Sequence, residues 1–386
     1  MTKVGHVTLL PQNDTTNGWS AVLPPRRPKQ PLSREISVDW AIVGAGFAGL
    51  AAARRVAERR PQDQIVVIEA GAAGEGAQGR NAGFAIDLPH NLSASFSELE
   101  SAERHKRLYR AAIAHLQSVV ETHSVACDWR RDGRYHAAVS QRGVDGVLKP
   151  LASELARSGE SYEWLDRKAL ADVIGTDYYA AALFTPGGVL VNPAALSRGL
   201  ADTLPPNVTL YETTPVVDFA PGAPTRLTTP HGRVNARKVV LAVNGFADRF
   251  GLFKHRLLSF AAHASLTRPL TEDEQRRLGG DWAERPIGAS LRPTLFPASR
   301  CVAPSTTASS FVRTCASVPD CARLTKSVAA SPKITSDCST GATPTYRTSR
   351  SAAPGPATSA CRATARPALA KRRRTFSSPS ARTRSA

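Results

Sequence analysis

Trp40-Ala-Ile-Val-Gly-Ala-Gly-Phe-Ala-Gly-Leu-Ala-Ala-Ala-Arg-Arg-Val-Ala57 is a strand, a glycine turn and a helix written in sequence. The β-rich run Ser37-Val-Asp-Trp-Ala-Ile-Val43 fits a buried parallel strand. Gly44, Gly46 and Gly49 follow it as G-x-G-x-x-G. The first glycine serves the tight turn, the second lets a pyrophosphate approach the backbone, and the third lets helix and strand pack closely. Leu50 to Arg60 is rich in Ala and Arg and fits a helix whose N-terminal N–H groups point at phosphates.

A second strand, Ile65-Val-Val-Ile68, ends in Glu69, 20 residues past Gly49. A carboxylate there accepts both ribose hydroxyls and repels a 2′-phosphate, which argues against NADP. Strand, turn, helix, strand and acid stand in the order of a dinucleotide site. The motif by itself leaves NAD and FAD open.

The stretch after Glu69 decides between them. Ala70-Gly-Ala-Ala-Gly-Glu-Gly-Ala-Gln-Gly-Arg-Asn-Ala-Gly83 is a long glycine-rich loop where an NAD domain has a short loop and a helix. It resembles the G-A-S-G-R-N-G-G loop of the D-amino-acid-oxidase-like flavoproteins, in particular their gamma-glutamylputrescine oxidase-like branch. In that family the loop runs along the pyrophosphate towards the flavin ring.

The resemblance implies FAD as cofactor. It also implies contacts from Gly44, Gly46, Phe47, Ala48, Gly49, Glu69, Ala70, Gly79, Arg80, Asn81 and Gly83. Further segments follow in family order. Ile174-Gly-Thr-Asp-Tyr-Tyr179, Pro186-Gly-Gly-Val-Leu-Val-Asn-Pro193 and Leu196-Ser-Arg-Gly-Leu-Ala201 look like the return to the FAD domain. Glu212-Thr-Thr-Pro-Val216 is read on a strand pair, with the Val216 backbone at the adenine. Arg237-Lys-Val-Val-Leu-Ala-Val-Asn-Gly-Phe246 resembles the second strand-to-turn contact, through Ala242, Asn244 and Gly245. The match as read covers residues 38–290.

Composition divides the chain into three. Residues 1–37 read as a polar N-terminal arm, with LPPRRPKQPLS extended on the surface. Residues 38–290 have globular texture and hold four of the five tryptophans. Residues 291–386 carry 16 basic and 2 acidic residues, +14 of the formal +18, and only 12 of these 96 positions are Leu, Ile, Val or Phe. This low-complexity basic block is a disordered tail, a poorly ordered domain, or the product of a shifted reading frame in a GC-rich gene. The abruptness of the change near Ala289 to Arg292 favours the last. The family builds its substrate sheet from this half and ends in a glycine-rich segment beneath the flavin. Leu257 to Thr267 begins such a sheet, but residues 291–386 hold two glycines, Gly341 and Gly355, in neither case within such a segment.

The expected fold is therefore α/β: an FAD-binding Rossmann-like domain with an interleaved, incomplete α+β substrate domain and a disordered C-terminal tail. The expected function is FAD-dependent oxidation of a C–N bond in a small amine or amino acid. Hydride passes from the carbon beside nitrogen to the flavin, the imine hydrolyses, and oxygen or another acceptor takes the electrons. The alternative is a non-catalytic remnant of such an enzyme.

No apolar run reaches 18 residues and the N-terminus lacks a signal-peptide pattern, so a cytoplasmic protein without a membrane partner is expected. The tail with its KRRR run at 371–374 offers charge for nucleic acid. No recognition module or aromatic interleaving goes with it, and that reading ranks last. The six cysteines make no CxxC pair, and neither a disulfide framework nor a metal site is expected.

Catalytic side chains are not identified. His90 and Asn91 follow the flavin loop and are candidates for the pocket. His105, His115 and His123 fall in an amphipathic helix from Ser95 to Ser124 with an apolar set Phe96, Leu99, Leu108, Ile113, Leu116 and Val120, which makes them packed or solvated. Arg130, Arg131 and Arg134 offer charge to a carboxylate substrate but read better as a solvated hairpin. Cys127 reads as a small buried residue rather than a flavin anchor.

Overall fold

The run EISVDWAIV forms a nine-residue strand, Glu35–Val43, two residues longer at its start than its β-rich centre predicts. It is flanked in parallel by Ile65–Ile68 on one side and Arg233–Leu241 on the other, and Val208–Tyr211 extends the parallel set. The computed structural model describes residues 15–88 and 96–257, with 5–7, 10, 11, 13 and 271–273, and the strand segments 260–266, 289–291, 299–301, 311–317 and 361–363.

Among these residues the main sheet runs Gly5–His6, Asp218–Ala220, Thr225–Thr228, Arg233–Leu241, Glu35–Val43, Ile65–Ile68, Val208–Tyr211. Asp218–Ala220, Thr225–Thr228 and Arg233–Leu241 form an antiparallel meander on the edge of the parallel set, and Gly5–His6 pairs antiparallel with its outer strand. Alternating side chains feed two cores, as a sheet covered on both faces requires. Ile42, Ile65 and Val67 pack with Leu50, Ala53 and Ala57 of helix Phe47–Arg59 and with Leu196 and Leu200 of helix Pro193–Asp202. Val43, Val66 and Ile68 pack on the opposite face with Val216, Leu227, Val234 and Phe250. Burying each of these aliphatic side chains contributes about 1.5–3 kcal/mol.

A second sheet is ordered Ser299–Cys301, Ala289–Leu291, Arg134–Ala138, Ala181–Thr185, Glu163–Asp166, and its last three strands lie between Ile68 and Val208 in the chain. This is the interleaved α+β unit expected from the sequence. Segments 299–301, 311–317 and 361–363 of the basic block are strands, and Phe311–Ser317 and Cys361–Ala363 both pair with Phe260–Leu266. The rest of that block lies outside the described residues. Among the described residues, no helix is long and apolar enough to cross a membrane.

Three local expectations need correction. Helix Phe96–Thr122 matches the predicted span, but Leu108 is 54% exposed. The buried line runs through Lys106, Ile113 and Val120, and Leu108 stands two residues off it, near the opposite side of a 3.6-residue turn. Lys106 takes an inward place because Glu160 meets its ammonium at 2.9 Å. Arg134 is buried in a strand rather than solvated in a hairpin. The preceding segment is pinned to the sheet margin by Arg130 N–H to Leu190 O at 2.9 Å and Gly133 N–H to Gly188 O at 3.1 Å. Glu212 to Val216 is not a strand pair: the strand ends at Tyr211 and the next begins at Asp218.

Candidate cofactor site

Four parallel strands end at Val43, Ile68, Tyr211 and Leu241, and each sequence-predicted cofactor segment begins at the next residue. Residues 44–49, 69–83, 212–216 and 242–245 thus meet along the carboxyl edge of one sheet, where open α/β sheets bind ligands. Backbone bonds tie the edge together. Gly44 N–H donates to Ile68 O, Ala242 N–H to Val43 O, Glu69 N–H to Tyr211 O and Thr214 N–H to Glu69 O, each at 2.8 Å.

The first turn has no room for a side chain where it matters. Gly44 sits at φ +103°, and a Cβ on Gly49 would lie 1.8 Å from the Gly44 carbonyl oxygen. Ala242 closes the turn from the neighbouring strand, its carbonyl 2.6 Å from the position of a Cβ on Gly44. No side chain caps helix Phe47–Arg59 at Gly46, so its positive end, with Phe47 and Ala48, is left to an anion.

A second copy of this geometry lies in the loop after Glu69. Gly74-Glu-Gly-Ala-Gln-Gly79 is itself G-x-G-x-x-G. Gly74 sits at φ +86°, and a Cβ on Gly79 would lie 1.7 Å from the Gly74 carbonyl oxygen, five residues back as in the first turn. The two turns adjoin, with the Gln78 amide oxygen 3.9 Å from the position of a Cβ on Gly46. The signal was present in the sequence as a second glycine spacing, but no strand and helix frame it as they frame the first.

Glu69 stands beside the first turn. Its Oε2 accepts from Ala45 N–H at 2.7 Å and its Oε1 from Gly71 N–H at 2.9 Å. Burial pushes its carboxyl above the ordinary range, the Gly71 and Ala45 N–H groups oppose that, and Glu212 nearby adds to it. Each carboxylate oxygen has a further acceptor lone pair, which suits a pair of hydroxyls.

Arg80 and Asn81 are turned into the loop. Arg80 Nε donates to Glu75 O at 2.7 Å and Nη2 to Asn13 Oδ1 at 2.6 Å. Asn81 Nδ2 donates to Gln78 O at 2.5 Å, and its Oδ1 accepts from Gly83 N–H at 2.8 Å. Both side chains hold the shape of the 74–83 turn, which leaves the backbone to face a ligand. Val216 is buried under the edge. Asn244 begins a 3-10 turn at φ +49°, with Gly245 next to it.

The remaining candidates stand apart. His105 and His115 are exposed on their helix, His123 is exposed in the turn just after it, and His90 and Asn91 lie outside the described residues. Arg130 pairs with Asp132 at 3.3 Å. Cys127 is buried, and burial followed by Asp128 pushes its thiol up to about 11.

Two glycine cradles without space for a Cβ, an uncapped helix end and a carboxylate set for hydroxyls fit a dinucleotide with a ribose and a pyrophosphate. Residues 39–331 match the family described as DAO, FAD dependent oxidoreductase. The chain belongs to this DAO family. Its cofactor is FAD, the group in whose service the family is described. The family match runs past the boundary read at residue 290.

Among curated DAO-family relatives, the probable oxidoreductase OrdL of Haemophilus influenzae is 27% identical over 225 residues, 56% of this chain and 51% of that protein. The gamma-glutamylputrescine oxidoreductase of Escherichia coli is 26% identical over 240 residues, 60% of this chain and 55% of that protein. The chain thus spans about half the length of these relatives. The fold is similar to that of glycine oxidase from Geobacillus kaustophilus, with a TM-score of 0.57 at 22% identity over 74% of this chain and 73% of that one.

Proposed function

We propose that this DAO-family chain oxidises a C–N bond of a small amine or amino acid, with oxygen or another acceptor taking the electrons, in the cytoplasm. The observation that carries the reading is the doubled glycine cradle on the sheet edge next to Glu69. The similarity to a gamma-glutamylputrescine oxidoreductase supports the substrate class. FAD when bound supplies two-electron oxidation of the carbon beside nitrogen.

The chain's own residues hold and orient the group. The helix end at Phe47 and Ala48 and the backbone at Gly46 and Gly79 would hold the pyrophosphate. Glu69 and the Ala70 backbone would take the adenosine ribose, and the backbone at Val216 would meet the adenine. Gly83, Ala242, Asn244 and Gly245 would add further cofactor contacts, with Arg80 and Asn81 shaping the loop. The test is purified protein with flavin released by heat, assayed for peroxide or dye reduction over a panel of amines and amino acids. Colourless protein that takes up NAD in a titration overturns the reading.

A second reading, a non-catalytic remnant of such an enzyme, is favoured by the composition break at residue 291. DNA downstream of the codon near Ala289 then encodes, in another frame, alternating apolar strands, a glycine-rich segment and acids at ordinary frequency. Stops or low-complexity sequence in the other frames, together with turnover on an amine, overturn it.

A further inference from the structure

The arm that precedes the family match is anchored to the loop that follows Glu69. Trp19 is 3% exposed, and its indole Nε1 donates to Asn81 O at 2.9 Å. Asn17 Nδ2 donates to Gly74 O at 3.0 Å, and Ser20 Oγ donates to Glu75 Oε1 at 2.6 Å. These contacts hold the second glycine turn from outside, on residues that the family match, beginning at 39, does not include.

A second set of contacts acts through Glu212, whose side chain is 0% exposed. Its Oε1 accepts from Arg26 Nη1 at 2.9 Å and from Ala73 N–H at 2.6 Å, and its Oε2 accepts from Lys29 N–H at 2.6 Å. One buried carboxylate therefore joins the arm, the end of a parallel strand and the cofactor loop. Arg26 is fixed from its other side by Asp202, through Nε at 2.9 Å and Nη2 at 2.8 Å. Two residues on, Thr214 repeats the bridge: its Oγ1 accepts from Leu32 N–H at 3.1 Å and its N–H donates to Glu69 O at 2.8 Å.

We propose that residues 17–32 form a lock on the cofactor loop, with Arg26 and Glu212 as its positioning residues, so that docking of the arm and binding of FAD strengthen each other. The proposal rests on the FAD reading of the site. Without Arg26 the buried Glu212 carboxylate loses its charged partner, and a buried unpaired charge is costly to keep. The cheapest relief is to release the Ala73 end and let water in, which loosens residues 70–76. Because coupling between two binding events is reciprocal, FAD must then hold the arm as firmly as the arm holds the loop.

The test uses the full chain, with Arg26→Met and the milder Asp202→Asn. Three quantities are read: FAD affinity by flavin fluorescence, hydrogen exchange of the peptide covering 70–76, and tryptic cleavage at Lys29–Gln30, where the lysine side chain is 49% exposed. In the unaltered chain FAD is expected to slow that cleavage about tenfold, and Arg26→Met to weaken FAD binding about tenfold and erase the protection, within the range usual for coupled sites. Asp202→Asn is expected to act in the same direction by about threefold, since it removes only the rim partner. If Arg26→Met does not fold, Asp202→Asn carries the decision.

Unchanged FAD affinity in both variants, with cleavage at equal rates with and without FAD, overturns the lock. If the unaltered chain takes up no FAD, the cofactor reading fails separately. Exchange at 70–76 then decides the lock: about tenfold faster exchange in Arg26→Met supports it, and equal exchange overturns it.

Discussion

A Cβ on Gly49 would lie 1.8 Å from the carbonyl oxygen of Gly44, closer than any non-bonded contact allows. The neighbour is backbone rather than the end of a flexible side chain, and the same Cβ would also lie 3.4 Å from the Cβ of Ala242. Gly49→Ala is expected to cost on the order of 1–3 kcal/mol of stability or more by overpacking, and to lower the flavin retained on purification. Gly79→Ala should act likewise, because the Gly74 carbonyl stands 1.7 Å from the same position. Thermal melts and flavin content check both, and wild-type values for either variant would mean that its turn is not built as described.

Glu69 links the site to pH. Its carboxyl is raised from the ordinary 4.5, chiefly by burial, so the cofactor-free folded state holds its proton more tightly than the unfolded chain does. The stability this provides is present in full below 4.5 and is lost as pH rises through the raised value. Glu69→Gln carries no such charge. The stability difference between variant and wild type is expected to grow in the variant's favour across that window and then level off. Parallel urea-denaturation curves from acid to neutral pH would show that Glu69 is not buried as its carboxyl.

With FAD present the same position works in the opposite sense. Glu69→Ala removes the acceptor for the ribose and is expected to weaken FAD by about 1–3 kcal/mol. Fluorescence titration checks this, and unchanged affinity would place the ribose elsewhere.

Cys127 is 1% exposed, and its thiol is raised from 9.0 to about 11. At pH 8 its thiolate fraction is roughly a hundredfold below that of an ordinary cysteine with the same starting value, and the thiolate is the reactive form. Iodoacetamide is expected to leave Cys127 unmodified in the folded chain and to alkylate it in urea, as read by peptide mass spectrometry. Equal labelling in both conditions would contradict its burial.

Leu108 and Ile113 differ although both belong to one helical apolar set. Leu108 is 54% exposed and Ile113 is buried. Leu108→Glu is expected to change stability by no more than about 0.5 kcal/mol, as at other open surface sites. Ile113→Ala is expected to cost about 2–5 kcal/mol. Denaturant midpoints for the pair check the facing of the helix, and a large loss at Leu108 would reverse it.

The residues from Ser37 to Glu69 were legible because their structure is local. A glycine that must take positive φ, a β-rich run and an Ala-rich helix declare themselves within a few neighbours, and the structure gives Glu35–Val43, Phe47–Arg59 and Ile65–Ile68 in that order. Helix Phe96–Thr122 was legible in length but not in facing, because Lys106 points inward only when Glu160 is there to meet it. The second glycine turn was written in the spacing of Gly74, Gly76 and Gly79, yet its likeness to the first rests on where the two carbonyls lie.

What only the tertiary structure decided is the arm. LPPRRPKQPLS reads as an exposed extended segment, and most of it is exposed. Its meaning comes from Arg26 meeting Glu212, 186 residues away, and from Leu32 meeting Thr214, 182 residues away. The sequence by itself determined the strand, turn, helix and acid of a dinucleotide site, since backbone sterics and side-chain period act over a few residues. It did not determine which buried carboxylate would meet which arginine. That pairing has no local signature: it exists only once the parallel sheet has brought the end of strand Val208–Tyr211 beside the loop after Glu69 and excluded water from the space between them.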